Sequence, residues 1–354
     1  MTTADAGFAL PSGFDALAEH GPVLSAVLTA LEQVEAHLLD ALAFEDDFST
    51  QAARHLASAG GKRVRPVLTV LSSLLGDPGL PTGQVGAIGP EVRQAAVVME
   101  MTHLATLYHD DVMDEAPVRR GAAAAHRLWG NSAAILAGDL VFARASQLMS
   151  ELGPRAVRVQ AETFERLVQG QLWETRGVGE GQDPLEHYYA VLGGKTGSLI
   201  AAAGVLGAHL GGADEQTVQV MSEYGEKVGV AFQLADDLID LTGTAEQLGK
   251  APGTDLREGV PTLATLLLER DAAAQGEQAQ QAREVLDLVR GGLDDDAALA
   301  RAVAALTAHP AFAEAGRITR AWAQEAKDAL APLPESPVKA ALEAFADYVV
   351  DRAS

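Results

Sequence analysis

The chain has 354 residues, of which 48% are hydrophobic, and 49 Asp+Glu against 26 Lys+Arg give it a formal net charge of −23. This charge argues against binding to nucleic acid or to an anionic membrane surface. The absence of cysteine excludes disulfides and thiolate metal sites. The first residues lack the basic and apolar regions of a signal peptide. We therefore expect a cytoplasmic protein without stable membrane insertion.

Apolar residues recur three and four positions apart along most of the chain, which predicts amphipathic helices. The clearest stretches are 14–42, 91–114, 154–176, 217–241 and 336–353. No stretch alternates as a strand does, so the predicted fold class is all-α. Loops are predicted at the Gly/Pro clusters 76–90, 177–184 and 249–261.

None of these loops reads as an interdomain linker, so we predict a single domain over 1–354. Within it, 1–20 is expected to be a poorly structured N-terminal segment. A motif-bearing core then covers about 50–270, and C-terminal helices follow over 271–354.

Two aspartate clusters share the spacing Asp-Asp-x-x-Asp: Asp110, Asp111 and Asp114, then Asp236, Asp237 and Asp240. Pro117 and Gly243 should end the two helices soon after these clusters. Three carboxylates at the negative end of a helix dipole are unfavourable unless a cation neutralises them. Carboxylate oxygens suit Mg²⁺, which shares its coordination shell with water and ligand phosphates. The alternative is a solvated acidic surface, which one cluster alone would favour over a metal site.

Two basic clusters stand beside loop breaks in this acidic chain. Lys62, Arg63 and Arg65 lie in "GGKRVRP" at 60–66, and Arg119 and Arg120 follow the first aspartates. Guanidinium groups bind phosphate oxygens bidentately, and lysine binds them as a point charge. Either cluster alone could be a helix cap with salt bridges. Together with the paired aspartates, they predict two phosphate-bearing substrates, one held through metal and one by side chains.

The segment "LGGKTGS" at 192–198 resembles a nucleotide-binding P-loop, but we reject that interpretation. Tyr189 stands where the motif needs a glycine, and no strand precedes it. Lys195 and Thr196 are instead predicted to lie in a helix loosened by glycines. Because a lysine buried in a core helix is improbable, Lys195 is expected to face a ligand cavity.

The chain resembles the trans-isoprenyl diphosphate synthases, the polyprenyl synthetase family, over roughly 50–270. The matching blocks, in the family's order, are "GGKRVRP", "HLATLYHDDVMDEAPVRRG", "GDLVFARAS", "GKTGSL", "GVAFQLADDLIDL" and "GKAPGTDLREG". The resemblance is greatest to the long-chain actinobacterial type. It implies an all-α helical bundle around a deep central cavity, a homodimer, and two aspartate motifs that face each other across the cavity.

The resemblance also implies a role for each motif residue. The six aspartates are expected to bind Mg²⁺, three ions with substrate bound, and so to hold an allylic diphosphate. Further contacts to that substrate are expected from Arg119, Lys195, Thr196, Gln233 and Lys250. The expected isopentenyl diphosphate site comprises Lys62, Arg65, His103 and Arg120. Val260 departs from the family, because many members carry lysine there; that loop therefore contributes less, and Lys250 more.

The implied reaction condenses isopentenyl diphosphate head-to-tail onto an allylic primer, farnesyl or geranylgeranyl diphosphate. Product length is expected to depend on residues one and two turns before the first motif: Ala105, Thr106, Met101 and Thr102. None is aromatic, and two spacer residues separate the aspartates of that motif, which favours a product of C30 or longer for quinone side chains. The alternatives are a shorter-chain geranylgeranyl or farnesyl diphosphate synthase, a class I terpene cyclase, a non-catalytic partner subunit, or a helical scaffold with acidic surface clusters. The alanine could also simply permit close helix packing.

Overall fold

The computed structural model describes residues 10, 12–243 and 252–352, and their regular secondary structure is almost entirely helical. The helices are α1 (Gly21–Ala41), α2 (Asp47–Ser58), α3 (Val64–Ser73), α4 (Pro90–Met113), α5 (Ala125–Trp129), α6 (Asn131–Ser150), α7 (Pro154–Arg176), α8 (Pro184–Leu192), α9 (Ser198–Leu210), α10 (Glu215–Thr242), α11 (Thr254–Glu258), α12 (Leu263–Ala273), α13 (Glu277–Val289), α14 (Asp296–Ala308), α15 (Pro310–Ala329) and α16 (Pro337–Asp351). Two short strands, β1 (Val118–Arg119) and β2 (Ala122–Ala123), form an antiparallel hairpin. The all-α prediction is confirmed.

The chain divides into two compact units. Unit 1 comprises Met1–Arg166, Ser198–Gly225 and Ala329–Ala344, and unit 2 comprises Leu167–Gly197, Glu226–Asp328 and Phe345–Ser354. The first aspartate motif and the "GGKRVRP" block lie in unit 1. The second motif and the "GKTGSL" lysine and threonine lie in unit 2. The single-domain organisation stays a prediction.

The N-terminal segment is more ordered than the sequence predicted. Residues Asp15–Glu19 form a 3-10 helix, and Phe14 and Leu17 are fully buried. The prediction of a poorly structured segment over 1–20 is therefore wrong for residues 14–19. Burial of these two apolar side chains contributes the free energy that orders this short stretch.

Close helix packing positions the motif-bearing helix of unit 1. A Cβ on Gly138 of α6 would lie 2.5 Å from the Nε2 atom of His109 and 3.0 Å from the carbonyl oxygen of Ala105. Glycine thus lets α6 approach the backbone of α4. On another face, the buried hydroxyl of Tyr108 donates to the carbonyl of Ala52 at 2.5 Å and joins α4 to α2. These contacts fix α4 just before the aspartates.

Unit 2 has its own core, built mainly from leucines of α10 and α12 with aromatic and aliphatic side chains of α8. Between α8 and α9 the residues Gly193–Gly197 form a π-helical turn. A Cβ on Gly170 of α7 would come within 2.9 Å of the backbone nitrogen of Lys195. The turn is therefore packed tightly on α7, and the predicted glycine-loosened helix is confirmed.

The two helix ends fall where the sequence predicted them. Helix α4 ends at Met113 with Asp114 as its C-cap, and α10 ends at Thr242. Among the described residues, one helical stretch, Pro184–Leu210, is long and apolar enough to cross a membrane, but 78% of its most apolar window is buried inside the protein. It has the character of a core helix.

Candidate active site

The first aspartate motif occupies the C-terminal turn of α4. Asp111 is fully buried, and its Oδ1 atom accepts a hydrogen bond from the Nε of Arg119 at 2.6 Å. The Oδ2 atom of Asp111 is buried without a hydrogen-bond partner in the part of the chain that the structure describes. Asp110 is half-buried and Asp114 is exposed. The motif thus presents carboxylate oxygens beside the negative end of the helix dipole, where a cation is stabilised.

The β1–β2 hairpin delivers the two arginines that follow this motif. Arg120 and Gly121 form its two-residue turn with φ angles of 53° and 76°. Positive φ at both central residues is typical of the tight turns that match strand twist. Arg119 thereby reaches Asp111, while Nη1 of Arg120 donates to the carbonyl oxygens of Leu56, at 3.1 Å, and Gly60.

The "GGKRVRP" cations divide into groups with different surroundings. Arg63 is 5% exposed, and its guanidinium bonds Glu35 through two nitrogens at 2.8 Å each and Glu100 at 3.0 Å. The same group also donates to the carbonyls of Gly60 and Ala57. Lys62 is exposed. The sequence grouped Arg63 with Lys62 and Arg65 in a phosphate-binding cluster, but its guanidinium is fully occupied by the protein.

Arg65 and His103 remain available for a ligand. The Nε of Arg65 is buried without a hydrogen-bond partner among the described residues, and burial lowers the pKa of this guanidinium to about 10. Burial, together with the nearby guanidinium of Arg65, holds the pKa of His103 well below its usual range. Arg120, Arg119 and Arg63 act on the His103 ring in the same direction. A neutral imidazole among four guanidinium groups is an environment that favours an anion.

The four predicted chain-length residues are all buried. Thr102 and Thr106 donate their hydroxyls to carbonyls of their own helix, at Val98 (2.9 Å) and His103 (2.8 Å) respectively. The carbonyl of Ala105 lies at the close approach of α4 and α6, and Met101 is 0% exposed. The packing explanation for the alanine thus has a contact behind it, and the chain-length role stays a prediction.

The second aspartate motif, in unit 2, is compensated differently. Asp236 is ion-paired with Arg352, with 3.0 Å between Oδ1 and Nη2. The Oδ2 of Asp237 accepts a short hydrogen bond from the hydroxyl of Tyr188, and its Oδ1 accepts one from Gln233 at 3.3 Å. The Oδ2 of Asp240 accepts from the backbone nitrogen of Asp255 at 3.1 Å.

Burial raises the pKa of Asp237 to about 7, against the hydrogen bonds from Tyr188 and Gln233, which lower it. Burial, followed by the negative charge of Asp237, raises the pKa of Tyr188 well above its usual value. Asp237 and Tyr188 therefore lie in a poorly solvated position, where both groups keep their protons more readily than they would in water. A cation beside Asp237 would favour its charged form.

The remaining predicted residues of unit 2 lie near this motif or outside the described residues. Lys195, in the π turn, is ion-paired with Glu174 and has 27% of its side chain exposed. The hydroxyl of Thr196 donates to the Oε1 of Gln233 at 3.4 Å, which links the turn to Asp237. Val260 is 40% exposed. Lys250 lies outside the described residues.

Sequence patterns did not predict four side chains that contact Lys195 or residues of the basic and aspartate clusters: Glu100, Glu174, Tyr188 and Arg352. A signal existed for Glu100, because it is one acidic residue in the apolar run "VVMEM" of a predicted helix. Nothing local marks the others, since each meets its partner across a long sequence separation.

The donor set suits a hard cation that is completed by a ligand. Among the residues that the structure describes, no three His, Cys, Asp or Glu side chains form a group able to hold a metal ion by themselves. Mg²⁺ is commonly held by one or two carboxylates with water and substrate phosphates. The buried, unpartnered Oδ2 of Asp111 fits such an ion.

Comparison with known proteins gives one consistent family. The Polyprenyl synthetase family pattern matches residues 46–306. A nonaprenyl diphosphate synthase of Mycobacterium tuberculosis (strain ATCC 25618 / H37Rv) is 46% identical over 328 residues, which cover 93% of this chain and 94% of that protein.

Solved structures agree. A geranylgeranyl pyrophosphate synthase from Corynebacterium glutamicum, complexed with calcium and isoprenyl diphosphate, is 40% identical with a TM-score of 0.80, over 93% of this chain and 97% of that one. A polyprenyl synthase from Caulobacter crescentus CB15, complexed with the same ligands, is 30% identical with a TM-score of 0.80, over 98% of this chain and 100% of that one.

Proposed function

This chain belongs to the polyprenyl synthetase family, and from that membership we propose that it condenses isopentenyl diphosphate head-to-tail onto an allylic diphosphate. The product is an all-trans polyprenyl diphosphate. The observation that carries the proposal is the pair Arg65 and His103: a buried guanidinium nitrogen without a partner beside an imidazole whose pKa is lowered by burial and surrounding arginines.

In the proposed reaction, this basic cluster holds the diphosphate of isopentenyl diphosphate. Arg65 and Lys62 supply charge, Arg120 adds to the positive potential, and neutral His103 donates one N–H without releasing a proton to the substrate. The allylic C–O bond breaks to give pyrophosphate and an allylic carbocation, and the double bond of the bound isopentenyl diphosphate attacks that cation. A proton leaves the condensed intermediate for the departing pyrophosphate, so no side-chain base is required.

The aspartates are proposed to hold the second, allylic diphosphate through Mg²⁺, with three ions when substrate is bound. The divalent metal supplies the charge neutralisation that makes diphosphate a good leaving group. The chain's own residues orient that diphosphate: Arg119 beside Asp111, and Lys195, Thr196 and Gln233 beside Asp237. Lys250 is proposed to contact the same group. The surrounding apolar helices exclude water from the carbocation.

We propose a long-chain product, C30 or longer, for quinone side chains, with farnesyl or geranylgeranyl diphosphate as the primer. Support comes from the small or flexible side chains at 101, 102, 105 and 106 and from the name of the nonaprenyl relative. The geranylgeranyl relative supports the shorter-chain alternative. We also propose that the chain acts as a single-domain, cytoplasmic homodimer.

Incubation of the pure protein with Mg²⁺, isopentenyl diphosphate and farnesyl diphosphate tests the activity. We expect all-trans polyprenyl chains of C30 or longer by mass spectrometry after dephosphorylation. A cyclic hydrocarbon, or no condensation at all, would contradict the proposal.

Ala105→Phe tests the chain-length role. It should shorten the product to C15–C20, because the aromatic ring lies about one helical turn, ~5.4 Å, from the diphosphate end. If α6 packing dominates instead, the variant loses about 1–3 kcal/mol of stability with unchanged product length.

A further inference from the structure

Glu100 occupies a place that demands an explanation. It is 1% exposed and lies three residues before His103, on the same face of α4. A buried carboxylate is unfavourable unless cations and hydrogen bonds compensate for its lost hydration. Here Nη1 of Arg63 lies 3.0 Å from its Oε1 atom and Nη2 of Arg120 lies 3.5 Å from the same oxygen. One carboxylate oxygen therefore joins α4 to two separate loops.

Both arginines adopt backbone conformations that need outside support. Arg63 has a φ of 50° and Arg120 a φ of 53°, in the left-handed region that side chains other than glycine disfavour. The loops also pack on each other, because a Cβ on Gly61 would lie 2.8 Å from the Cζ of Arg120. Side-chain contacts must hold such strained positions, and Glu100 is common to both.

The contacts also separate the residues that build the anion site from those that touch the anion. Arg63 uses its Nε and both terminal nitrogens on Glu35, Glu100 and backbone carbonyls. It has no donor left for a substrate. Arg65, two residues later, keeps a buried Nε without a partner among the described residues. Arg63 is the N-cap of α3, so holding it in place also fixes the first turn of the helix that carries Arg65.

We propose that Glu100 is a positioning residue for the isopentenyl diphosphate site, holding the Arg63 and Arg120 loops in register with His103 on α4. The inference rests on the proposed function. It assigns Glu100 no contact with substrate. Its shape matters as well as its charge, because the carboxylate must reach two guanidinium groups at once.

The test measures binding without turnover. The dissociation constant for isopentenyl diphosphate is measured by calorimetry in the absence of any allylic primer, and that for the unreactive farnesyl thiolodiphosphate is measured separately with Mg²⁺. Glu100→Gln should raise the dissociation constant for isopentenyl diphosphate at least tenfold. It should change the dissociation constant for the farnesyl analogue less than twofold. Glu100→Asp keeps the charge but loses reach, so it should resemble Glu100→Gln. Glu314→Gln, at the exposed pair with Arg270, is the matched control and should leave both constants unchanged.

Each outcome decides a separate point. If Glu100→Gln leaves the isopentenyl constant within twofold while Arg65→Ala raises it, the inference fails and the proposed function stands. Equal weakening of both ligands would show a general structural role and also overturn it. If Glu100→Asp binds like the wild-type protein, charge alone suffices and positioning is refuted.

Two further results separate folding and function from the inference. If Glu100→Gln does not fold, Arg63→Lys decides, since lysine keeps the charge but cannot bridge Glu35 and Glu100. Arg63→Lys should raise the dissociation constant for isopentenyl diphosphate at least tenfold, and an unchanged dissociation constant would overturn the inference. If neither Arg65→Ala nor His103→Ala weakens isopentenyl diphosphate, the proposed site itself is wrong.

Discussion

The two aspartate motifs have the same spacing, and each lies at the C-terminal end of its own helix. The carboxylates of the two motifs are nevertheless stabilised in different ways. In unit 1, Asp111 is buried against Arg119, only eight residues away in sequence. In unit 2, Asp237 is buried against Tyr188, 49 residues away, and its pKa is raised to about 7. The first motif is compensated by local positive charge, whereas the second relies on neutral donors and on a distant arginine, Arg352, at Asp236.

The difference teaches that a motif's spacing does not determine its electrostatics. On the helix of the first motif, burial and four nearby guanidinium groups hold the pKa of His103 well below its usual range. In the second motif, burial raises the pKa of Asp237 to about 7, so this carboxyl keeps a proton more readily. In the proposed function both motifs hold Mg²⁺, and at Asp237 the cation replaces that proton.

The sharpest test of this comparison is to remove one carboxylate from each motif. Asp110→Ala and Asp236→Ala should each lower turnover at least about 100-fold, because each removes a ligand needed as the leaving diphosphate gains charge. Both proteins should stay folded by circular dichroism. Asp296→Ala, an exposed ion-paired aspartate, is the control and should retain full activity. Near-wild-type turnover in either motif variant would remove that motif from the metal site.

The basic residues of the two units should separate kinetically. Arg65→Ala or His103→Ala should raise the KM for isopentenyl diphosphate about tenfold, the effect of losing one charge-assisted hydrogen bond. Lys195→Ala, in unit 2, should mainly raise the KM for the allylic substrate. Arg155→Ala, at an exposed pair with Glu215, should change neither. If each variant affected both constants equally, the division of substrates between the two basic sets would be wrong.

A smaller effect is expected at the hydrogen bond that distinguishes the second motif. Tyr188→Phe removes the donor that orients Asp237, so the Mg²⁺ concentration for half-maximal rate should rise about 3- to 10-fold, equivalent to the ~1 kcal/mol of a net hydrogen bond. Tyr189→Phe, its neighbour in sequence, should behave as wild type. An unchanged Mg²⁺ requirement in Tyr188→Phe would show that Asp237 needs no such orientation.

The sequence predicted the features that depend on residues close together in the chain. The all-α fold follows from the apolar periodicity, and the helix ends at Met113 and Thr242 follow from the Pro117 and Gly243 signals. The sequence did not predict the ion pairs between residues that are far apart in the chain. The pairing of Asp236 with Arg352 and that of Arg63 with Glu35 depend on how helices pack, which spacing does not encode.

Sequence type also failed to separate Arg63 from Arg65. The two residues are the same amino acid in the same block, but Arg63 has a left-handed backbone and its guanidinium bonds Glu35 and Glu100. A positive φ at a non-glycine residue cannot be read from "KRVR". The occupied arginine and the available one therefore look alike until the contacts are known.

The last prediction concerns acid, to which the two regions should respond with opposite signs. The pKa of His103 is lower in the folded protein than its ordinary value of 6.5, by burial and by Arg65. Below pH 6.5 the unfolded chain therefore binds a proton that the folded protein does not, so stability falls as pH falls, by up to about 1.4 kcal/mol per pH unit. Above pH 6.5 His103 contributes no pH dependence.

Asp237, with its pKa raised to about 7, contributes the opposite slope in the metal-free protein, because the folded state there binds the extra proton. The wild-type curve alone would mix the two, so the difference between wild type and His103→Gln isolates the histidine. Urea unfolding at pH 5 to 8 with chelator present should show the variant gaining on wild type only below about pH 6.5. Arg65→Gln removes one guanidinium from the surroundings of the His103 ring, so it should give part of the same gain in unfolding free energy. A difference that stays constant across this range would mean that His103 is not held neutral by its surroundings, and the contrast between the two motifs would lose its electrostatic basis.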